Sequence, residues 1–252
     1  SLYIETEKHK ILFDSGASDA FWENAKALGI DLAQVDIAFL SHAHNDHCGG
    51  LLTFLRGNRT AKVYLQKEAF GDYYVVTPTK CAFIGLDPKL HEYADRFVMA
   101  EGVTKLDEEL TLFSGIRTHE LLSEANATLR EKVGGDYPRD AFRHEQDLLV
   151  TEHGKTVLFA GCAHSGIINI INRAEDILGR APDYVFAGFH LYNPSLGQSE
   201  PRALVDAVGE RLRARKATRY VTGHCTGDAY AWLHETLGDR LAYMATGTTF
   251  TI

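Results

Sequence analysis

Four side chains able to bind a metal ion fall within six residues of this chain: His42, His44, Asp46 and His47, in the order H-x-H-x-D-H. The motif follows Asp36-Ile37-Ala38-Phe39-Leu40, a short apolar run of the buried-strand type. Residues i and i+2 at a strand end project to the same side, so His42 and His44 can grip one ion together. Asp46 and His47, past the bend, are displaced enough to serve a second. Imidazole with carboxylate ligation suits zinc, manganese or iron. The carboxyl ends of strands in open α/β sheets are also where such sites gather. A His-rich solvent loop is the bland reading, and the strand, the spacing and the Gly49-Gly50 pair together argue against it.

Three later histidines occupy equivalent places: His164 in GCAHSG, His190 in AGFHL and His224 in TGHCTG. Each follows an apolar run and a glycine that allows close backbone approach. Taken singly, each would be read as a hydrogen-bonded core or loop residue. Three of them beside the cluster point to one site built at a sheet edge.

The elements that must position these residues are legible in outline. Residues 2–6 and 10–13 read as a β-hairpin running into Asp14-Ser15-Gly16. Ser18 to Leu28 has helical spacing and stops at Gly29. Leu51 to Leu55 reads as a helix and residues 62–65 as a strand. Residues 71–95 are aromatic and Pro-punctuated, and read as an irregular surface excursion in which Tyr73, Tyr74 and Phe83 either wall a pocket or pack the loop down. Strands are expected at 97–106 and 110–113, then a polar loop or lid from Ser123 to His144. A hairpin at 147–151 and 156–160 turns around His153-Gly154. After it, alternating elements follow: helix 167–178, strand 183–187, helix 201–215, strand 218–222, helix 228–237, and terminal strands near 241–244 and 248–252. The isoleucines of 167–178 lie at helix spacing and read as core.

Composition narrows the class. The chain has 252 residues, with 26 Lys+Arg against 34 Asp+Glu for a formal −8, and 12 His. The acidic balance argues against a nucleic-acid binder, which wants a basic face, and no apolar stretch approaches the ~18 residues of a spanning helix. Cys48, Cys81, Cys162 and Cys225 are scattered and form no C-x-x-C, so free thiols in a reducing, cytoplasmic setting are expected. The chain opens at Ser1 directly in strand-like Leu2-Tyr3-Ile4, so its first strand is expected to be incomplete. Homo-oligomerisation is left open. N-x-T matches at Asn58 and Asn126 are short enough to arise by chance. His9, His91, His119, His153 and His234 read as surface residues.

From Phe13-Asp14-Ser15-Gly16 through SHAHNDHCGGL to the closing strand, the chain resembles the metallo-β-lactamase superfamily. The set SHAHNDHCGGL, GCAHSGIINI, GFHL and HCTG resembles in particular the ribofuranosylaminobenzene 5′-phosphate synthase-like, dihydropterin-linked branch of metal-dependent hydrolases. That resemblance implies an α/β chain forming one domain over residues 1–252. Its fold would be a four-layer αβ/βα sandwich of two mixed β-sheets flanked by helices, with metals at the sheet edge. It implies that His42 and His44 hold one metal, that Asp46, His47 and His224 hold another, and that Asp14 supports the first motif.

The chain also departs from the family pattern. The family's bridging aspartate, in a Gly-Asp pair, is replaced here by Gly161-Cys162, with His164 two residues on as the candidate ligand near or between two ions. In the slot before the hairpin, Glu145 resembles the family's acidic residue and His144 is its rival. One or two divalent ions are therefore expected, zinc first, with manganese or iron as alternatives.

The expected activity is hydrolysis of a small anionic substrate, a phosphoester or phosphodiester, by metal-activated water. Asp46 would receive or orient a proton of that water, and His190 would contact substrate or assist the leaving group. Cys162 and Gly166 would line the substrate site, Gly166 by offering a helix N-terminus to a phosphate or else by plain capping. A cysteine nucleophile fits less well, because a metal-bound histidine cannot act as its base. The alternatives are a synthase on a pterin or ribofuranosyl-phosphate precursor, as the branch name implies, and a non-catalytic metal- or ligand-sensing module.

Overall fold

Short apolar runs alternating with helix-period segments fold as mixed sheets with helices, across all of residues 1–252, which the computed structural model describes. By contacts the chain divides into two compact units, Ser1–Gly102 with Leu129–Gln146, and Val103–Thr128 with Asp147–Ile252.

In the first unit, β1 (Leu2–Glu5) and β2 (Lys10–Phe13) form an antiparallel hairpin. Strands β3 (Ile37–Phe39) and β4 (Lys62–Gln66) add in parallel. Beyond a hairpin of β5 (Tyr73–Thr77) and β6 (Lys80–Phe83), β7 (Phe97–Ala100) completes the order β1-β2-β3-β4-β7. Helices α1 (Ala20–Ala27) and α3 (Leu51–Gly57) bury Phe21, Ala25, Leu51, Phe54 and Leu55 against Leu12, Ala38, Val63 and Leu65. The single turn α2 (Asn45–Cys48) carries the second half of the histidine motif.

In the second unit, β8 (Val103–Lys105) and β9 (Leu110–Ser114) lead to a seven-stranded sheet. A separate strand of the first unit, β10 (Leu129–Glu131), pairs with β5. The sheet continues with β11 (Gln146–Glu152), β12 (Lys155–Phe159) and β13 (Tyr184–Ala187). After the two-residue strands β14 (Tyr192–Asn193) and β15 (Gln198–Ser199) come β16 (Arg219–Thr222) and β17 (Leu241–Tyr243), giving the order β17-β16-β13-β12-β11-β9-β8. Helices α4 (Ile167–Leu178), α5 (Arg202–Ala214) and α6 (Ala229–Leu237) pack on it. The isoleucine stripe is core: Ile167, Ile168, Ile170 and Ile171 are all buried with Leu158, Val185 and Val205. Trimming one such residue to alanine costs about 2–5 kcal/mol.

The expected α/β class, with two mixed sheets and helices on them, is what the chain forms, and four local expectations change. Within the loop expected from Ser123 to His144, Leu129–Glu131 forms strand β10 because it pairs with β5. Residues 71–95 are not irregular: the aromatic and β-branched run Tyr73 to Thr77 forms a strand, and Pro78 sits in its hairpin turn rather than preventing it. The strand expected over 97–106 breaks at Gly102, φ +63°, and its two pieces enter different sheets. Residues 248–252 add no strand, because Thr248 closes a turn on Ala245, N–H to carbonyl 3.0 Å, and Phe250 instead packs edge-on against Phe186 at 5.3 Å. No helix is long and apolar enough to cross a membrane.

Candidate metal centre

Because β2 and β3 run parallel, their carboxyl ends bring Asp14 and Ser41-His42 to one edge of the first sheet. Asp14 holds the left-handed backbone, φ +60°, that lets the chain turn there. Its carboxylate accepts from the Ser41 amide and the Ser41 hydroxyl, each at 2.7 Å, and meets His47 Nδ1 at 2.6 Å. The Ser41 hydroxyl has one proton and gives it to Asp14, so His42 Nδ1, 2.8 Å away, must be the donor of that pair. By the same logic His47 carries its proton on Nδ1 and donates a hydrogen bond to the Asp14 carboxylate. Both rings therefore carry their lone pair on Nε2, the form a metal ligand requires.

The glycine pair after the motif is what permits this. A Cβ on Gly49 would lie 2.2 Å from the Ala17 carbonyl oxygen, and one on Gly50 2.3 Å from that of Ser15. Only bare backbone lets the loop after β2 lie against α2, where Ser15 bonds the His47 carbonyl at 2.7 Å. That contact sets Asp14 against the His47 ring.

A second carboxylate works the other side of the motif. His144 Nδ1 accepts the Ala43 amide at 3.0 Å, so its Nε2 carries the proton and donates to Asp140 at 3.0 Å. Both ring nitrogens of His144 are thereby engaged, which makes it a positioning residue and not a ligand. Asp140 also lies 3.6 Å from His44 Nε2. Burial alone would raise the Asp140 carboxyl, but its hydrogen bonds with His144 and His44 hold it well below the usual range. His44 is buried, and desolvation lowers its pKa to about 4 against the pull of Asp140. Tyr73, buried, packs its ring 4.0 Å from His144 and donates to the Glu68 carbonyl at 2.6 Å. It belongs to the support of the motif. Phe83 is exposed and meets Tyr74 edge-on.

The ligand atoms of His42, His44 and Asp46 lie within 4.8 Å of one another, as do those of Asp14, His42 and His47. Asp46 is the accessible member, its side chain 42% exposed and its Oδ2 3.7 Å from His47 Nε2. Glu145 is buried next to Gln146, its backbone amide donating to the Phe142 carbonyl at 3.0 Å. Gln146 fixes the strand ends themselves: its side-chain amide donates to the Leu40 and Tyr64 carbonyls, both at 2.9 Å.

In the second unit, β12, β13 and β16 are consecutive parallel neighbours, so His164, His190 and His224 all follow carboxyl ends on one sheet edge. His164 Nδ1 donates to Asn126 Oδ1 at 2.9 Å while the Asn126 amide returns a bond to the His164 carbonyl at 2.9 Å. Its lone pair also falls on Nε2. The His190 ring lies 4.2 Å from the His164 ring. His190 and His224 hold left-handed backbones, φ +46° and +49°, and His224 is exposed beside buried Cys225. Burial would raise the Cys225 thiol, but its contacts with Cys162, His190 and His224 carry it well below the usual thiol range. The ligand atoms of Cys162, His190 and Cys225 lie within 4.8 Å of one another. Gly166, φ +85°, caps α4, and its amide donates to the Ala163 carbonyl at 2.9 Å, which favours capping over an anion cradle.

Residues 1–79 match the family described as the metallo-beta-lactamase superfamily. The whole chain superposes on the solved structure of Tm1679, described as a metal-dependent hydrolase of the beta-lactamase superfamily. The TM-score is 0.80 at 24% identity, with 99% of this chain and 93% of that one covered. This chain has the metallo-β-lactamase fold. Two curated proteins of Methanocaldococcus jannaschii are also similar to this metallo-β-lactamase-fold chain. One is the uncharacterised protein MJ0448, 29% identical over 77% of this chain and 73% of its own length. The other is 7,8-dihydropterin-6-methyl-4-(beta-D-ribofuranosyl)-aminobenzene-5'-phosphate synthase, 27% identical over 90% of this chain and 80% of its own.

Asp140, Ser41 and Asn126 are positioning residues that the motif reading passed over. Asp140 lay in the stretch read as a loop or lid, where a carboxylate four residues before His144 was the available signal. Ser41 was visible as the residue before the motif. Asn126 stood out only as a chance N-x-T match.

Proposed function

We propose that this protein is a metal-dependent hydrolase of a small anionic substrate, a phosphoester or phosphodiester, with His42, His44, Asp46 and His47 as its cation ligands. The observation that carries this reading is the aimed donor set of the first unit. His42, His44 and Asp46 gather their ligand atoms within 4.8 Å, and Asp14 and Ser41 hold two of the rings in the ligating tautomer. Neutral imidazoles with a carboxylate fit zinc first, with manganese or iron as alternatives. Such an ion supplies Lewis acidity and a local positive field when bound.

The chain's own residues do the rest. Asp46, the accessible carboxylate, accepts or orients a proton of the attacking water at its oxygen. Asp14, Ser41, Asp140 and His144 keep the rings from turning. Further ligands are proposed on family resemblance: His164 and His224, with Glu145 as a lesser candidate. A chain at −8 draws a phosphate only where a bound cation reverses the local sign. Cys48, Cys81, Cys162 and Cys225 are free thiols, which fits a reducing cytoplasm.

The test is elemental analysis of protein purified without chelators, followed by activity on a phosphoester panel under zinc, manganese and iron. Metal content with phosphoesterase activity that the double variant His44→Ala, Asp46→Ala lacks is the expected result. A metal-free protein, inactive on the panel under every metal, overturns the reading. A second reading, a condensing enzyme on a pterin or ribofuranosyl-phosphate precursor, is favoured by similarity to the M. jannaschii synthase over 90% of this chain. Product analysis with those precursors separates the two. An ion held tightly without turnover of either class would indicate a sensing module.

A further inference from the structure

We infer that the second unit holds a thiolate–imidazole metal site formed by Cys162, His190 and Cys225, for a soft divalent cation such as zinc. It goes beyond the proposed function, which names none of these three as a ligand, although the ligand atom of Cys162 also lies within 4.8 Å of that of His164, a ligand proposed there.

Geometry comes first. The two sulfurs and the imidazole nitrogen lie within 4.8 Å of one another, and the three residues are 3%, 8% and 6% exposed for Cys162, Cys225 and His190. A tetrahedral zinc with sulfur ligands at about 2.3 Å sets them roughly 3.8 Å apart, so small side-chain rotations close the site. The topology brings the three residues to one sheet edge. Cys162 follows β12, His190 follows β13 and Cys225 follows β16, three parallel neighbours whose ends share one edge. The turns are tied together by Gly188 N–H to the Gly161 carbonyl at 2.7 Å and by Phe189 N–H to Thr226 Oγ1 at 3.0 Å.

Independent observations point to a ligand. Both ring nitrogens of His190 are buried and find no oxygen or nitrogen partner, the Cys225 thiol being the side chain they meet, whereas buried imidazoles ordinarily satisfy theirs. The backbone at His190 is held in the left-handed region, φ +46°, which an ordinary side chain adopts only when surroundings enforce it. That turn aims the His190 amide at Cys225 Sγ, 3.3 Å away, a donation that suits a ligating thiolate. At Gly188 any Cβ would lie 2.5 Å from the same sulfur, so glycine keeps its place clear.

The chemistry is also consistent. On binding a divalent ion the two thiols release two protons to solvent and the two sulfurs become ligands. Two thiolates, one neutral imidazole and a divalent cation sum to zero charge, which a buried pocket tolerates. Sulfur donors select zinc over magnesium or manganese. Three protein donors leave a fourth position for a further ligand. This role replaces the leaving-group role that strand-end placement alone suggested for His190.

The test uses the full chain, stripped of metal and titrated with cobalt(II). Only sulfur ligation yields the near-ultraviolet thiolate-to-cobalt charge-transfer band, which imidazole and carboxylate donors do not produce. The unmodified chain should show it, and so should the His42→Ala, Asp46→Ala variant. The Cys162→Ser, Cys225→Ser double variant should lose it. His190→Gln should keep the band only at about tenfold higher cobalt or more. The same chain with zinc should protect Cys162 and Cys225 from alkylation while exposed Cys81 stays reactive, and this measurement decides where the serine variants fail to fold. A missing band without zinc protection overturns the proposal. So does a band that survives the double variant, or one lost with Cys162→Ser but intact with Cys225→Ser.

Discussion

The two units aim their histidines by different means. In the first, four donors come from a single strand-to-helix bend, and carboxylates aim them: Asp14 holds His47 directly and His42 through Ser41, and Asp140 lies against His44. In the second, His164, His190 and His224 come from three separate strand ends, and His164, proposed as a further ligand on family resemblance, is aimed by the neutral amide of Asn126. A carboxylate behind an imidazole both fixes its tautomer and makes its ring more basic, whereas an amide only fixes it. The first arrangement thus favours tight binding of an intermediate cation by nitrogen and oxygen. In the site inferred for the second unit, the sulfurs of Cys162 and Cys225 would supply the donor strength. One fold edge in each unit is served, by charge in one and by donor type in the other.

The largest break in that comparison is removal of first-unit ligands. The double variant His44→Ala, Asp46→Ala should lose the metal held by the histidine motif, keeping any held by Cys162, His190 and Cys225, and drop turnover below detection, while its circular dichroism stays that of the parent. Next is Asp14→Asn. It keeps the shape, but the amide has one acceptor oxygen where the carboxylate takes three contacts at 2.6–2.7 Å. Metal affinity should fall about 10–100-fold, the range for partners that orient a ligand, measured by competition against a chromophoric chelator. An unchanged affinity would show that the carboxylate does not set donor strength.

How much of this could be read from residues follows the same division. The H-x-H-x-D-H cluster is local: its spacing, its strand and its Gly-Gly pair sit within one short segment, so periodicity and residue type suffice. Asp14 was reachable through family resemblance, because the contact that gives it meaning spans 33 positions to His47. Asp140 offers only a weak signal, a carboxylate four residues before His144, and Asn126 offers none, since each lies in a polar stretch whose own pattern says loop. Their partners, His144 and His164, are what make them functional. The β5–β6 hairpin is obscured for a different reason: Pro78 and the aromatic residues suggest irregularity, although Tyr73 to Thr77 have the β-branched and aromatic composition of a strand. The final strand was over-read, because Thr248 to Ile252 have strand-like composition but no neighbour to pair with.

A smaller effect concerns acid. Burial lowers the His44 pKa from 6.5 to about 4 in the folded chain. The unfolded chain therefore takes up that proton first as pH falls, so the stability contribution is complete above 6.5 and is lost between 6.5 and 4. In metal-free protein the loss at a pH of about 5 should be on the order of 2 kcal/mol. His44→Gln should remove it, as read from urea midpoints at about pH 7 and about pH 5. Equal acid sensitivity in parent and variant would mean that Asp140 compensates fully for desolvation.

The smallest expected effect is the sharpest test of the difference between units. Asn126 exchanges two hydrogen bonds with His164, both at 2.9 Å, and contributes no charge. Asn126→Ala should therefore release the ring without changing its basicity, and metal affinity should fall less than the roughly tenfold lower bound for orienting partners. Asn126→Asp offers the reverse: it keeps an acceptor at Nδ1 and adds the carboxylate that the first unit already has. If aiming by charge is what distinguishes the first unit, this single substitution should raise affinity above that of the parent, measured with the same competing chelator. If both substitutions weaken binding alike, the loss lies in the bond to the His164 carbonyl. Backbone placement of the strand end would then matter more than the character of the group behind the ring.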